Sequence, residues 1–509
     1  MTNLSDLFPA GAGKQVSFVA TGTLASGATV ALKSDGTVEA VAETTISPSM
    51  PLGTESNVTS QTAQYNNLHA DPHNSNRWMQ IWMDDAGTKY VRVRVIVRSG
   101  TTLTMGSIST VETTNGQDRY CNFAWDNTTS GKFLVVYRNS QEYLQAKVGT
   151  ISDAAGNSIS YGSVVTFSTS PTTGAYPSTM GLECLGTTGN YFLQFINSSN
   201  NYPYGRIISV SGTVPSAAGS NTVLVSSAMS DGITKCVVNP SDSSKVASVY
   251  GSGSNVYVYN ISITGTTITP GTPVSAASGV DAGVDILGVD ATRYVFAYRN
   301  SSNKQPYGGI ATFSGGSWSI GTEVSLSSSE IETFGPSLSN AVNPVMNLQG
   351  SVNTFVIAYR DWTNTYLHGV IGTISGTSIT VNTPAALTSQ ATRQYNKMVA
   401  LQSDSNGTFL AAYGLTGSSL NTFIRLGQSG GTSNNSADFI GITDAAISSA
   451  ASGNVTIKGG IAVNGLSSLT PGSDYYAQAD GTISTVSTGS AVKIGRAMSA
   501  TSINLEYQS

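Results

Sequence analysis

The stretches FLVVYRNSQ (133–141), YVFAYRNSS (294–302) and FVIAYRDWT (355–363) write one pattern three times: an apolar run, a tyrosine, an arginine, then Asn or Asp. Aligning the chain on the aromatic that closes each such run gives seven positions: Trp82, Tyr137, Phe195, Tyr250, Tyr298, Tyr359 and Tyr413. They recur about every 55 residues. A repeat of this order with only strand-like content is the mark of propeller blades. No other feature constrains the fold as tightly, because each unit can bury both of its faces only against its neighbours.

Each unit reads as four short strands. In the fifth, VDILGV (284–289) is the innermost strand, RYVFAY (293–298) the second and YGGIATF (307–313) the third. GGSWSIGTEVSL (315–326) then supplies a hairpin turn and the outer strand, and GTTITPGTPVSA, GNSISYGSVVTF and GTSITVNTPAAL repeat that grammar. Second strands such as FLVVY are apolar throughout, as strands buried on both faces are. Only 10% of the 509 residues are Asp, Glu, Lys or Arg, against roughly 25% in ordinary soluble proteins. Ser, Thr, Asn and Gly replace the residues that helix surfaces require, so an all-β chain is expected.

The seventh unit lacks an outer strand of its own, since TFIRLGQ (422–428) runs into SGGTSNNSAD. The missing strand is assigned to PLGTESN (51–57), which closes a seven-bladed propeller over 51–428. The two ends carry a second repeat. GATVALKSDGTVEAV (27–41) aligns without gaps to GSDYYAQADGTISTV (472–486), matching Gly27 to Gly472, Asp35 to Asp480, Gly36 to Gly481 and Thr37 to Thr482. Asp-Gly between alternating strands predicts a type I′ hairpin in both copies. FIGITDAA (439–446) and KIGRAMSA (493–500) follow as matching strands. The propeller is therefore read as inserted into a small duplicated β-domain, formed by residues 1–46 and 437–509. Its first copy starts near Lys14 and resumes at Ala437, its second spans 464–509, and AETTISPSM and SGGTSNNS serve as linkers.

The terminal segments LASGATVALKSDGTVEAV, FIGITDAAISSAASGNVTIKGGI and GLSSLTPGSDYYAQADGTIS resemble small β-modules of tailed-bacteriophage virion proteins, in capsid decoration proteins and fibres. The charge-poor, Ser/Thr/Gly-rich composition is similar to that of a phage fibre. The resemblance implies a virion structural protein, made in the host cytoplasm, with other tail or capsid proteins as partners. The propeller segment lacks a Trp-Asp repeat ending and the Ser-x-Asp-x-Gly-x-x-Trp box of sialidases.

Net charge is −5 with a pI near 5.3, which gives no basic footprint for nucleic acid. No apolar run reaches the length of a membrane span, and the first residues show no secretory signal. Three cysteines, Cys121, Cys184 and Cys236, have no metal-type spacing and suit buried, inert thiols of a reducing compartment. No heptad segment argues for a coiled-coil stalk, which leaves homo-oligomerisation open. No cofactor motif is present.

Arg138, Asn139, Arg299, Asn300, Arg360 and Asp361 are the ligand-binding candidates. Guanidinium and amide groups at one rim suit vicinal sugar hydroxyls, with Tyr stacking on a sugar face. The alternative is packing: Tyr fills the inter-blade core, Arg pairs across blades and Asn starts a tight turn. HADPH (69–73) places two imidazoles around Asp71, a triplet of metal-ligand type, but turn chemistry explains its Asp-Pro and Asn74 without a metal, and none is expected. Channel acids of the kind glycosidases use would be Asp126, Glu183 and Asp285, although the three do not fall at equivalent positions. The expectation is a non-enzymatic virion protein, anchored by its terminal β-domain, whose propeller attaches to a host-surface glycan. A capsid decoration protein without a receptor is the alternative, and a polysaccharide-degrading enzyme the third reading.

Overall fold

The computed structural model describes residues 14–506, apart from 60–62, 85–89, 114–115, 140, 142, 169–179, 187, 198, 228, 230–233, 332–344, 350–353, 393–397, 402–406, 417–421, 429–430 and 488–490. The chain forms two compact units, Ser47–Gly430 and Met1–Ile46 with Gly431–Ser509.

The larger unit is a β-propeller. Among the described residues it contains seven antiparallel meanders, each running from an innermost strand outward. The fifth comprises Val280–Gly288, Arg293–Asn300, Pro306–Ser314, and an outer edge split into Ser317–Ile320 and Val324–Ser325. Both outer pieces pair with the same third strand. The split recurs in the first, second, fourth and sixth sheets. At each break one N–H donates to a third-strand carbonyl at 2.7–3.0 Å: Gly106 to Val95, Gly162 to Val148, Gly271 to Asn260, Gly321 to Ile310 and Asn382 to Ile371. Those five bonds put the five sheets in one structural register.

Ser49–Thr59 is the outer strand of the seventh sheet, antiparallel to Thr422–Gln428, with Asn57 opposite Phe423 and Leu52 opposite Leu426. The innermost strands of successive sheets touch in a closed ring, the seventh meeting the first.

The core lies between the sheets. Leu134 and Val136 of the second sheet pack on Tyr191 and Leu193 of the third, and Val295 and Ala297 of the fifth on Ile357 and Tyr359 of the sixth. Second strands such as Thr354–Arg360 are buried along their whole length, each large side chain contributing about 1.5–3 kcal/mol. Four of them carry a Phe over a third-strand glycine, Phe296 opposite Gly309 with the most room and three more tightly: Phe133 opposite Gly149, Phe355 opposite Gly372, Phe409 opposite Gly427. A Cβ on these last three glycines would stand 2.2, 2.2 and 2.0 Å from the ring Cζ, so no larger residue fits beneath the ring.

In the smaller unit the two copies share one strand order. The first runs Gln15–Val19, Ser452–Ile457, Phe439–Thr443, Thr29–Leu32, Val38–Ala40. The second runs Ile461–Ala462, Ser502–Leu505, Val492–Ser499, Asp474–Ala477, Ile483–Ser484. The second copy thus begins at Ile461, ahead of the 464 read from sequence. Phe439 and Ile442 of one copy share a core with Tyr475, Ile494 and Ile503 of the other, and the Thr29 hydroxyl donates to the Gly481 carbonyl at 2.7 Å.

The Asp-Gly turns differ from expectation. Gly36 N–H donates to Lys33 O (3.0 Å) and Lys33 N–H to Thr37 O (2.9 Å), with Gly481, Gln478 and Thr482 repeating the arrangement. Positive φ falls on Gly36 and Gly481 alone, both at 83°. These are three-residue loops, a type I turn followed by a left-handed glycine, rather than type I′ hairpins. The aspartate decides it: Asp35 Oδ1 accepts from the Thr37 N–H and hydroxyl, as Asp480 does from Thr482. The segments read as linkers also pair, Glu43–Ile46 antiparallel to Gly431–Asn434.

Candidate functional site at the blade rim and central channel

Each arginine of the repeated motif ends a second strand, and each is buried. Arg299 Nε donates to the Ile331 carbonyl at 2.8 Å, and Arg360 Nε to Thr392 at 2.7 Å. Both acceptors lie 32 residues downstream, on chain that bridges to the next sheet, Ile331 to Asp361 and Thr392 to Leu415. The arginines thus tie one blade to its successor. The corresponding segment after Arg138 lies outside the described residues. The next residue opens a turn in every case. Asn139 Oδ1 accepts from Gln141 and Tyr143 N–H, Asn300 Oδ1 from Ser302 and Asn303, and Asp361 Oδ1 from Thr363 and Asn364. Asn139, Arg299, Asn300, Arg360 and Asp361 thus hold strand ends and turns in place, the three Asn and Asp residues by Asx-turn chemistry.

Four of the five repeat tyrosines are fully buried with the hydroxyl bonded at 2.7 Å, Tyr137 to Glu112, Tyr298 to Glu323, Tyr359 to Ser327 and Tyr413 to Glu55, and Tyr250 is buried as well. No sugar face is offered there. What the rim does expose is Trp362, which stands in the turn directly after Arg360 and Asp361 and is 52% exposed. The sequence signal was in hand, since FVIAYRDWT sets Trp where the other two copies have Ser.

The channel acids separate into two groups. Asp126 is not on an inner strand. Gly116–Trp125 ends one residue before it, and Asp126 Oδ1 accepts from Thr128 and Thr129 N–H and from the Thr128 hydroxyl, with Lys132 Nζ 3.4 Å from Oδ2. Burial pushes its pKa up, but these donors outweigh burial and leave it lowered. It is a turn residue, like Asp71 and Asp290, which accept from their own turns and pair with Arg77 and Arg293.

Glu183 and Asp285 do lie on innermost strands, Gly181–Leu185 and Val280–Gly288, with Lys235 on Thr234–Asn239 between them in the ring. Burial raises the Glu183 carboxyl to about 8, the negative Asp285 adding to the rise while the Val238 N–H and the Lys235 cation oppose it. His69, on the first sheet's innermost strand, is pushed down to about 4 by burial and by Lys235. Near neutral pH the channel therefore holds a mostly protonated carboxyl and an uncharged imidazole beside a lysine. Lys235 was missed, and His69 was read as part of the HADPH triplet rather than as a channel residue, because their place in the channel depends on ring closure.

His69 packs on Phe123 (ring centroids 4.6 Å apart), the His73 ring contacts the Asp126 carbonyl at 2.8 Å, and the Asp71 carboxylate is held by Arg77. The HADPH triplet does not converge, and among the described residues no three His, Cys, Asp or Glu side chains gather as a metal would require. The three cysteines are buried and unpaired with one another. No helix among the described residues is long and apolar enough to cross a membrane.

No protein-family model matches the sequence, and no curated protein is similar to it. Solved structures are similar in shape. The BP39L lectin of Burkholderia pseudomallei aligns over 70% of this chain and 97% of its own at 11% identity, TM-score 0.49. Hydrazine synthase of Kuenenia stuttgartiensis aligns over 72% and 96% at 11% identity, TM-score 0.48. The NanB sialidase of Streptococcus pneumoniae aligns over 74% and 70% at 9% identity, TM-score 0.41. The class defined is the β-propeller, and at these identities the likeness is one of fold alone. The expectation that the chain is not an enzyme is corrected here. Similar folds include a sialidase and a hydrazine synthase, so that exclusion does not follow from the architecture and is withdrawn.

Proposed function

We propose that the chain is a surface protein of a tailed-phage particle, attached to other virion proteins by its duplicated terminal unit and binding a host-surface glycan through its propeller. The terminal modules support the first half. Both copies fold with one strand order, and the propeller is inserted between strands of the first.

Trp362 is the observation that carries the second half. Of the five tryptophans, Trp78, Trp82 and Trp125 are buried and Trp318 is half-buried, so only Trp362 offers most of its indole to solvent. Exposing it forgoes roughly 2–3 kcal/mol of burial. It stands beside the exposed Thr363 and Asn364, a hydroxyl and an amide next to an aromatic face, the combination that sugar rings engage through C–H stacking and hydrogen bonding.

The test is binding of the labelled full chain to bacterial cells, with extracted surface polysaccharide as competitor. Saturable, competed binding that Trp362→Ala weakens about tenfold, with Tm unchanged, is expected. Binding that is absent, or indifferent to Trp362→Ala, overturns the rim as the contact. Mass spectrometry of purified particles tests the virion assignment, and antibody labelling confined to the capsid would make the chain a decoration protein.

A further inference from the structure

A cleft of about 480 Å³ lies at the outer junction of the fourth and fifth sheets, within the roughly 300–1,000 Å³ range of ligand sites. Asn260, Gly271 and Thr272 line it from the fourth sheet, and Phe313, Ser317 and Trp318 from the fifth. We propose that this cleft binds a single uncharged sugar ring, a neutral hexose or N-acetylhexosamine. This rests on the glycan reading above and adds a contact distinct from Trp362.

Comparison with the equivalent junctions shows how this one differs. Phe313 and Trp318 face each other one pair in from the hairpin turn. Ile263/Ile268 and Ile374/Ile379 hold that place in the fourth and sixth sheets, and Ile151/Ile159 close the second sheet's hairpin. Ile263, Ile268, Ile374 and Ile379 are buried, so aliphatic pairs fill the position in the fourth and sixth sheets, and the first sheet sets Arg98 opposite Leu103, whereas Phe313 and Trp318 are left half-buried beside open space. Trp318 is held by Phe313 and Tyr294, with ring centroids 4.9 and 5.6 Å away.

Asn260 is the second departure. The shared bond at each outer-strand break aligns it with Val95, Val148, Ile310 and Ile371, all buried. An amide has replaced an aliphatic side chain at the junction where this cleft opens. Its Oδ1 lies against Gly271, where a Cβ would come within 2.1 Å, so glycine is needed for the amide to line the cleft. The third departure is the Trp318 indole N–H, which is buried and has no hydrogen-bond partner among the described residues. A buried donor without a partner costs about 1–3 kcal/mol, a cost the aliphatic pairs of the neighbouring sheets do not carry.

The chemistry of the occupant follows. An indole and a phenyl ring suit the C–H face of a pyranose. The Asn260 amide and the Thr272 and Ser317 hydroxyls suit its hydroxyls. No charged side chain lines the cleft, so a carboxylated sugar would lose hydration there without a countercharge.

The experiment titrates the full chain with glucose, galactose, mannose and N-acetylglucosamine, and with glucuronic acid as the charged control, read by saturation-transfer NMR and tryptophan fluorescence. Asn260→Val installs the side chain that equivalent positions carry and is expected to fold. Trp318→Phe keeps a ring but removes the N–H. At least one neutral sugar is expected to saturate the wild type, with affinity at least tenfold lower in Asn260→Val, lower in Trp318→Phe, and no response to glucuronic acid. Equal affinity in wild type and Asn260→Val overturns the cleft as the site. A wild type that ignores every neutral sugar yet still binds host polysaccharide overturns the cleft and leaves the glycan reading standing. Loss of polysaccharide binding as well removes both.

Discussion

Glu183→Gln isolates the electrostatics of the channel. The Glu183 carboxyl rises from an ordinary value near 4.5 to about 8, through burial first and with Asp285 adding to the effect. In the unfolded chain the same group ionises near 4.5, so between those two pH values unfolding releases a proton. Stability from this group is then fully present below about pH 4.5 and is lost as pH rises through about 8. Taken whole, the change amounts to about 5 kcal/mol. Solvent reaching the half-buried side chain screens part of it, and about 2 kcal/mol is the expected loss. Glutamine keeps the shape and cannot ionise. For a propeller of this size the difference corresponds to about 2–3 °C in Tm. Thermal unfolding of wild type and Glu183→Gln at pH 5 and pH 8.5 measures it. The variant should gain about 2–3 °C on the wild type between the two conditions. A difference that is the same at both pH values would show that Glu183 is not held protonated, and the account of the channel would fail.

Gly372→Ala places a Cβ 2.2 Å from the Phe355 ring and should cost about 1–3 kcal/mol through overpacking, read as a lowered denaturation midpoint; an unchanged midpoint would mean that the ring moves freely. Tyr413→Phe removes the 2.7 Å bond to Glu55, worth about 1.5–3 kcal/mol for a charged acceptor. Amide exchange along Ser49–Thr59 should accelerate, since that strand is joined to its sheet across most of the chain. Burial pushes Cys121 up to about 12, and Cys184 to about 11, and places Cys236 well above its ordinary value. An aromatic disulfide reagent at pH 8 should therefore find no reactive thiol until denaturant is added, whereas prompt reaction of one equivalent would place a cysteine at the surface.

The architecture was legible because a meander is local. Each strand pairs with the next one along, so the pattern from Val284 to Leu326 contains nearly everything needed to build the fifth sheet, and repeating it near each motif aromatic specifies the rest. The duplication at the ends was legible for a similar reason: Asp35 and Asp480 act on residues two positions away. The same turns show the limit, because composition alone favoured type I′, whereas the Asp side chain accepting from Thr37 or Thr482 selects the three-residue loop. Strand Ser49–Thr59 is non-local, yet its place was readable from the outer strand missing in the seventh repeat.

The side chains that could meet a ligand were decided by tertiary structure. Arg299 and Arg360 look like binding residues in sequence, and their carbonyl partners lie 32 residues away on the approach to the next blade. Asp126 and Glu183 are indistinguishable as acids near inner strands. One residue of offset puts Asp126 in a turn that satisfies its carboxylate, while Glu183 stays on its strand and meets Lys235 and Asp285 once the ring closes. Asn260 reads as one more polar residue in a polar chain until sheet register sets it level with Val95, Val148, Ile310 and Ile371. Sequence by itself determined the repeat, because strand pairing and turn chemistry act over short separations. Only the tertiary structure decided which polar groups are spent on the frame and which remain to meet a ligand, because that depends on partners the chain brings together from tens of residues apart.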